Sequence, residues 1–365
     1  MKKTLVLTHE YYPFHGGVAN YCYGLFSHLP EQNYLVSTDM KKQEIDSKKT
    51  FPSALPIYRF TNLLTPYIRP RWLLGLWNVS RLVKREKIEI IFTPNIFPLG
   101  QICYLLYKWL HIPYIISLHG LDIRLALKKN KKLAIKILAS AQHVIVNSQA
   151  TANNIHQLVG PEKISVITPY LHTSLNTTHV EKDPTDTTIS LISVGRLTKR
   201  KGHDMVIQAI NLLNNPNLHY TIIGSGAEEQ NLRDLIREWK LTNHVTIKTK
   251  ISDEELQELY QNADIFIQTT RNIGDDVEGY GIVYLEAASY RLPIIASLNT
   301  SVEEIFDQSS ALLIDGTKPE SIANAITQLI NEPETRLRLG QAAQNRLQQL
   351  PTWTDKAQQL AKLLS

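Results

Sequence analysis

Short apolar runs that stop at a glycine or a polar cluster recur along the whole of this 365-residue chain. Thr4–Leu7, Ile88–Phe92, Tyr114–Leu118, Val144–Asn147 and Ile164–Ile167 mark the first half. Ile189–Val194, Tyr220–Ile223, Val245–Ile247 and Asp264–Gln268 mark the second. Runs this short and this uniformly apolar are strands buried on both faces, as in a parallel sheet. Parallel strands need crossovers, and the stretches between them read as helices, among them 18–29, 253–261, 322–330 and 335–350. Such alternation specifies an α/β fold. Between the two series, residues 173–187 are rich in Thr, Asn and Asp and carry Pro184, which reads as a linker. The expected organisation is a domain over 1–172 and another over 188–352, each placing ligands at the carboxyl ends of its strands.

Composition narrows the class. Two cysteines, Cys22 and Cys103, stand at no metal-like spacing, which argues against a disulfide framework or structural zinc. Met1-Lys-Lys runs directly into Thr4–Leu7, too short for a signal peptide. The apolar stretch from Ile96 to Leu118 is interrupted by Pro98, Lys108, His111 and Pro113, and reads as a helix ending near Leu110 followed by a strand. A cytoplasmic protein follows as the expectation. The net charge of +5 is uneven: residues 1–175 carry 21 Lys and Arg against 9 Asp and Glu, and the remainder 18 against 25. The basic half reads either as general solubility or as a face for an anionic surface, such as a membrane leaflet or a lipid phosphate. The stretch from Arg124 to Leu138, with five lysines among leucines and isoleucines, likewise reads as a membrane-facing amphipathic helix or as a solvated helix face. Around Trp72 and Trp77, with Arg69, Arg71 and Arg81, a helix with its tryptophans in the core is favoured over a surface amphipathic one. Residues 39–71, with several lysines and prolines, read as a long insertion.

The chemistry concentrates in Glu278-Gly-Tyr-Gly-Ile-Val-Tyr-Leu-Glu286. Gly279 and Gly281 permit a tight turn and close backbone approach to a ligand. A helix starting near Gly281 offers free N–H groups and a positive dipole end, which suits phosphate. Glu278 lies in the loop before it and Glu286 about one turn inside, and carboxylates accept hydrogen bonds from vicinal hydroxyls. A charged Glu286 in an apolar helix needs a partner or a purpose. Gly195-Arg196-Leu-Thr-Lys-Arg-Lys201-Gly202 places cations between a strand end and a helix, where they can stabilise a leaving diphosphate.

This stretch, with Arg271 before it and Leu292-Pro293-Ile294-Ile295-Ala296 after it, resembles the Glu-x7-Glu motif of retaining nucleotide-sugar glycosyltransferases of family 4, in the branch of the phosphatidylinositol mannosyltransferases. The resemblance implies the GT-B fold, two Rossmann-like domains facing an interdomain cleft, with a last helix, 353–365, packing back on the first. It implies that Glu278 holds sugar hydroxyls, that Glu286 holds the ribose, and that Gly279, Tyr280 and Gly281 contribute to the substrate site. It assigns Arg196 and Lys201 to the diphosphate, while Lys199 and Arg200 are expected to be solvated. In the first half, Gly16-Gly17-Val18 resembles the family's phosphate-side loop, and His119-Gly-Leu-Asp122 its His-Gly-x-Asp, implying substrate contacts for Gly16, Gly17 and Asp122 and a place for His119 at the reaction centre.

Four glycines of the family pattern are replaced here, by Thr249, Arg291, Thr300 and Ser301. Non-glycine residues disfavour positive φ, so these turns are expected to be reshaped, with Thr300 and Ser301 narrowing the donor site. The implied function is transfer of a hexose, with retention, from a nucleotide diphosphate to a glycan or lipid-linked acceptor of the cell envelope. No Asp-x-Asp string occurs, so no metal is expected; no cofactor beyond the nucleotide-sugar substrate and no nucleic-acid partner are expected either. A nucleotide-sugar epimerase of the same fold, or a non-catalytic protein binding nucleotide sugar or docking on membrane, are the alternatives. The expected location is the cytoplasm, or the inner face of the plasma membrane as a peripheral protein.

Overall fold

The computed structural model describes residues 1–12, 16–38, 57–59, 70–172, 187–274 and 278–365. Most of the 39–71 insertion and all but the last residue of the 173–187 linker lie outside the described residues. The chain divides into two compact units, Met1–His172 with Pro351–Ser365, and Thr173–Leu350.

The first unit is a seven-stranded parallel sheet: β1 Thr4–Leu7, β2 Tyr34–Thr38, β3 Ile57–Arg59, β4 Ile90–Thr93, β5 Tyr114–Leu118, β6 His143–Val146 and β7 Ile164–Val166. Their order is β3-β2-β1-β4-β5-β6-β7. β1 pairs with β2 at Thr4↔Tyr34 and with β4 at Thr4↔Ile90, so the order reverses between β1 and β4. Right-handed crossovers then put helices on both faces. β1, β2, β4 and β5 are buried throughout, as expected of runs without alternation. Helix α1 (Gly17–Phe26) follows β1. Helices α2 (Leu73–Arg85), α3 (Gln101–Leu110), α4 (Leu121–Ser140) and α5 (Gln149–Ile155) link the later strands, and α2 and α4 each pack beside α3. Trp72 is half-buried against the core, whereas Trp77 is 54% exposed under the Arg81 guanidinium, 4.6 Å above its ring. The expectation of a core position therefore fails for Trp77, because the core side of α2 is taken by Leu76, Val79, Leu82 and Val83.

The second unit has six parallel strands: β8 Ile189–Val194, β9 Leu218–Ile223, β10 Val245–Lys248, β11 Ile265–Gln268, β12 Ile294–Ser297 and β13 Leu312–Ile314. They are ordered β10-β9-β8-β11-β12-β13. The order reverses between β8 and β11, and ligand crevices form beyond the carboxyl ends of strands at such a point. Its helices are α6 (His203–Leu213), α7 (Glu229–Glu238), α8 (Asp253–Gln261), α9 (Ile282–Ser289), α10 (Pro319–Asn331) and α11 (Pro333–Gln348).

The last helix, α12 (Trp353–Leu363), starts at a reciprocal cap between Thr352 and Asp355 and packs on α1 of the first unit. Gly24 makes room for it: a Cβ there would lie 2.3 Å from the Trp353 ring. No helix among the described residues is long and apolar enough to cross a membrane.

Candidate active site

In the second unit, two segments meet where the sheet order reverses: the loop after β8 and the segment after β11. Gln268 Nε2 donates to the Lys201 carbonyl at 2.7 Å, Thr269 Oγ1 to that of Gly202 at 3.0 Å, and the Arg271 N–H to that of Arg200 at 2.8 Å. Gly202 has φ +73°, and a Cβ on it would lie 2.0 Å from the Thr269 carbonyl oxygen, so this clamp requires glycine. The clamp fixes a tight turn that carries both Arg200 and Lys201 inward. Lys201 Nζ lies 2.7 Å from Glu278 Oε2, and the Arg200 guanidinium donates to the same oxygen.

The three side chains are between 5 and 12% exposed and carry a net charge of +1. Burial alone would push the Glu278 carboxyl up, but Lys201 and then Arg200 pull it down further, to about 2. Arg200 was expected to be solvated and is not. Arg196, expected beside Lys201, is exposed, as is Lys199.

Glu286 sits on α9. The Tyr260 hydroxyl of α8 donates to its Oε2 at 2.8 Å. Burial raises the Glu286 carboxyl above its ordinary range, against the pull of the Tyr260 hydrogen bond and of Lys201. Gly281 caps α9 at φ +85°, and a Cβ there would stand 2.7 Å from the Tyr284 ring. Tyr284 in turn donates to the Gln268 carbonyl at 3.0 Å, tying α9 to the end of β11. Gly279 lies in the loop between Glu278 and Tyr280, and Tyr280 is buried.

The turns expected to be reshaped behave differently from one another. Arg291 keeps the left-handed conformation, φ +57°, held by a 2.8 Å hydrogen bond from its Nε to Gln344 Oε1. After β10 the left-handed residue is Lys250, not Thr249. After β12 it is Asn299, and Thr300 and Ser301 have no need of glycine. Their hydroxyls donate to the carbonyls of Ser297 and Tyr280, at 2.8 and 3.3 Å.

In the first unit, Gly16 caps α1 with extended backbone, and Gly17 is exposed with nothing within 4 Å of where a Cβ would stand. No crowding among the described residues therefore demands glycine at position 17. His119 follows β5; its ring meets Tyr21 edge-on at 4.9 Å, and its backbone N–H donates to Asp122 Oδ1 at 2.9 Å. Burial lowers the imidazole to about 4, so it is neutral at pH 7. Burial also raises Asp122 to about 6, and its Oδ2 has no hydrogen-bond partner among the described residues. No group of His, Cys, Asp and Glu suited to holding a metal occurs among the described residues.

Two family models match the chain almost end to end, one described as Glycosyltransferase Family 4 over residues 15–174 and one as Glycosyl transferases group 1 over 176–346. A GDP-mannose-dependent α-(1-6)-phosphatidylinositol monomannoside mannosyltransferase of Mycolicibacterium smegmatis is 25% identical, over 99% of this chain and 98% of its own. A GDP-mannose-dependent mannosyltransferase of Corynebacterium glutamicum acting on the monoacylated form is 23% identical, over 100% and 98%. Among solved structures, HepE of Anabaena in complex with UDP and glucose superposes with a TM-score of 0.79 at 19% identity, over 100% of this chain and 99% of that one. Sucrose-phosphate synthase of Thermosynechococcus elongatus gives 0.79 and 19%, over 100% and 98%. At these identities the two structures show the fold, a GT-B arrangement of Rossmann-like domains.

Proposed function

This chain belongs to glycosyltransferase family 4, and we propose that it transfers a hexose, with mannose from GDP-mannose as the first candidate, to a lipid-linked or glycan acceptor of the cell envelope. The donor reading draws on the GDP-mannose dependence of the two bacterial relatives. Their names do not favour the epimerase or the non-catalytic alternative.

One observation carries the reading: two cations, Lys201 and Arg200, stand buried on a single carboxylate, Glu278, beside the amino end of α9. Buried cations attract an anion, and the amino end of a helix favours the same sign. A diphosphate meets both needs. As the glycosidic bond breaks, negative charge gathers on the leaving phosphate, and fixed cations lower that barrier. On this reading Lys201 and Arg196 receive the diphosphate, Glu286 takes the ribose hydroxyls, and Glu278 takes hydroxyls of the sugar. Gly279, Tyr280 and Gly281 shape the turn that admits the sugar, and Gly16, Gly17 and Asp122 serve the substrate side of the first unit. His119, neutral at pH 7, lies near the anomeric carbon. Transfer proceeds with retention by same-face displacement, the leaving phosphate taking the acceptor's proton, with no metal required.

The acceptor reading rests on α2, α3 and α4. These neighbouring helices carry ten Lys and Arg against one acid, Asp122. Trp77, Trp109 and Leu125 on them are more than half exposed. Aromatic side chains among exposed lysines suit an anionic lipid interface, which would place the protein at the inner face of the plasma membrane.

Initial rates with GDP-mannose and a phosphatidylinositol mannoside acceptor test the donor assignment. Lys201→Ala and Glu286→Ala should each lower kcat/KM by about 10²-fold or more. Near-normal rates in both would remove it.

A further inference from the structure

We propose that Arg200 is a positioning residue of the donor site: it keeps Glu278 ionised and oriented while Lys201 leaves that carboxylate for the donor's diphosphate. This rests on the donor reading above and gives a role of its own to a side chain which that reading counts only for its charge.

Both cations converge on one oxygen, Glu278 Oε2. Glu278 Oε1 has no hydrogen bond among the described residues, so it is the oxygen left for a sugar hydroxyl. Once a diphosphate draws Lys201 away, a carboxylate only 12% exposed loses one counter-ion. Without a second cation it would take up a proton or turn away, because an unpaired buried charge is strongly disfavoured.

Arg200 and Lys201 are built for different roles. The Arg200 backbone is tied to Arg271, whose own guanidinium grips Asp204 Oδ2 at 2.7 Å on the first turn of α6. A guanidinium stays protonated throughout and presents a rigid planar fork. Lys201 is a point charge on a flexible stem. That stem runs past Gly195, where even a Cβ would stand only 3.2 Å from Lys201 Cε. Both residues are held through their backbones, so the difference lies in the side chains: Arg200 presents the rigid fork, and Lys201 the stem that can swing beside a glycine. Glu278 then keeps one cation when the phosphate takes the other, and no proton need move.

Calorimetry of GDP-mannose binding between pH 5.5 and 8, in two buffers of different ionisation enthalpy, tests this. Wild type should bind with little proton uptake. Arg200→Met should weaken binding at least tenfold at pH 7.5, recover affinity as pH falls, and take up close to one proton per donor bound. Arg200→Lys should restore most of the affinity and abolish the uptake. Loss of affinity without proton uptake in Arg200→Met, or an equal loss in Arg200→Lys, would reduce Arg200 to a packing residue and overturn the proposal. Unchanged binding in Arg200→Met would overturn it as well. If wild type itself binds neither GDP-mannose nor UDP-glucose, the donor reading falls instead. The hold on Glu278 is then judged without ligand, by whether Arg200→Met, and not Arg200→Lys, moves acid unfolding to higher pH.

Discussion

The Tyr260 hydroxyl donates to Glu286 Oε2 across 2.8 Å, so the acid assigned to the ribose is held by a neutral partner from the neighbouring helix. Glu278 is held by two cations instead. The two acids of one motif therefore sit in opposite electrostatic surroundings, one raised by burial and one lowered to about 2 despite it.

Replacing Tyr260 by Phe should raise Glu286 further, because the bond it removes favours the charged form. A carboxyl raised in the folded state contributes stability at low pH and loses it as pH rises through the folded value. The destabilisation by Tyr260→Phe should therefore be larger at pH 7.5 than at pH 5, at about 1–3 kcal/mol for the buried bond. Urea unfolding at the two pH values measures it. An equal effect at both would remove the coupling.

Asp122, raised to about 6 by burial, obeys the same sign. Its share of the stability is present below about pH 4 and fades as pH climbs through 6, by roughly 2–3 kcal/mol for a shift of this size. Asp122→Asn cannot ionise, so its unfolding free energy should fall less between pH 4.5 and 7.5 than that of wild type. Parallel denaturant titrations compare the two slopes.

At Arg291 the left-handed backbone and the hydrogen bond to Gln344 can be separated. Arg291→Ala loses the bond and keeps the strain, whereas Arg291→Gly loses both. The glycine variant should be the more stable of the two by about 1 kcal/mol. Equal stabilities would mean the turn relaxes once the guanidinium is gone.

If α2, α3 and α4 meet an anionic bilayer, wild type should co-sediment with vesicles containing phosphatidylglycerol and not with phosphatidylcholine alone. Added salt should weaken binding, since screening acts on exposed charges. Replacing Trp77 and Trp109 by Ser should lower vesicle affinity several-fold while leaving nucleotide binding intact. Salt-insensitive binding, or none, would end the membrane part of the proposal.

Several elements could be read from the chain because hydrophobic burial has a local signature. β1, β5, β8 and α8 fall where their apolar runs and end signals put them. Glu286 drew attention for the same reason, as a charge inside an apolar helix. Arg200 gave no such sign. Lys199, Arg200 and Lys201 stand in one short helical turn, where successive side chains point about a third of a revolution apart. Composition cannot tell which of them faces inward.

The succession of strands and helices and the spacing of the paired acids were thus determined by sequence alone, since each depends on neighbours a few residues away. Which cation is buried against Glu278, that Arg291 holds a glycine's conformation, and that Trp77 faces outward were decided by tertiary structure. Each depends on a partner 50 or more residues distant or on competition for the core, as between Arg200 and Glu278 (78 apart) and between Arg291 and Gln344 (53 apart). Residue pattern carries no record of such long-range pairing.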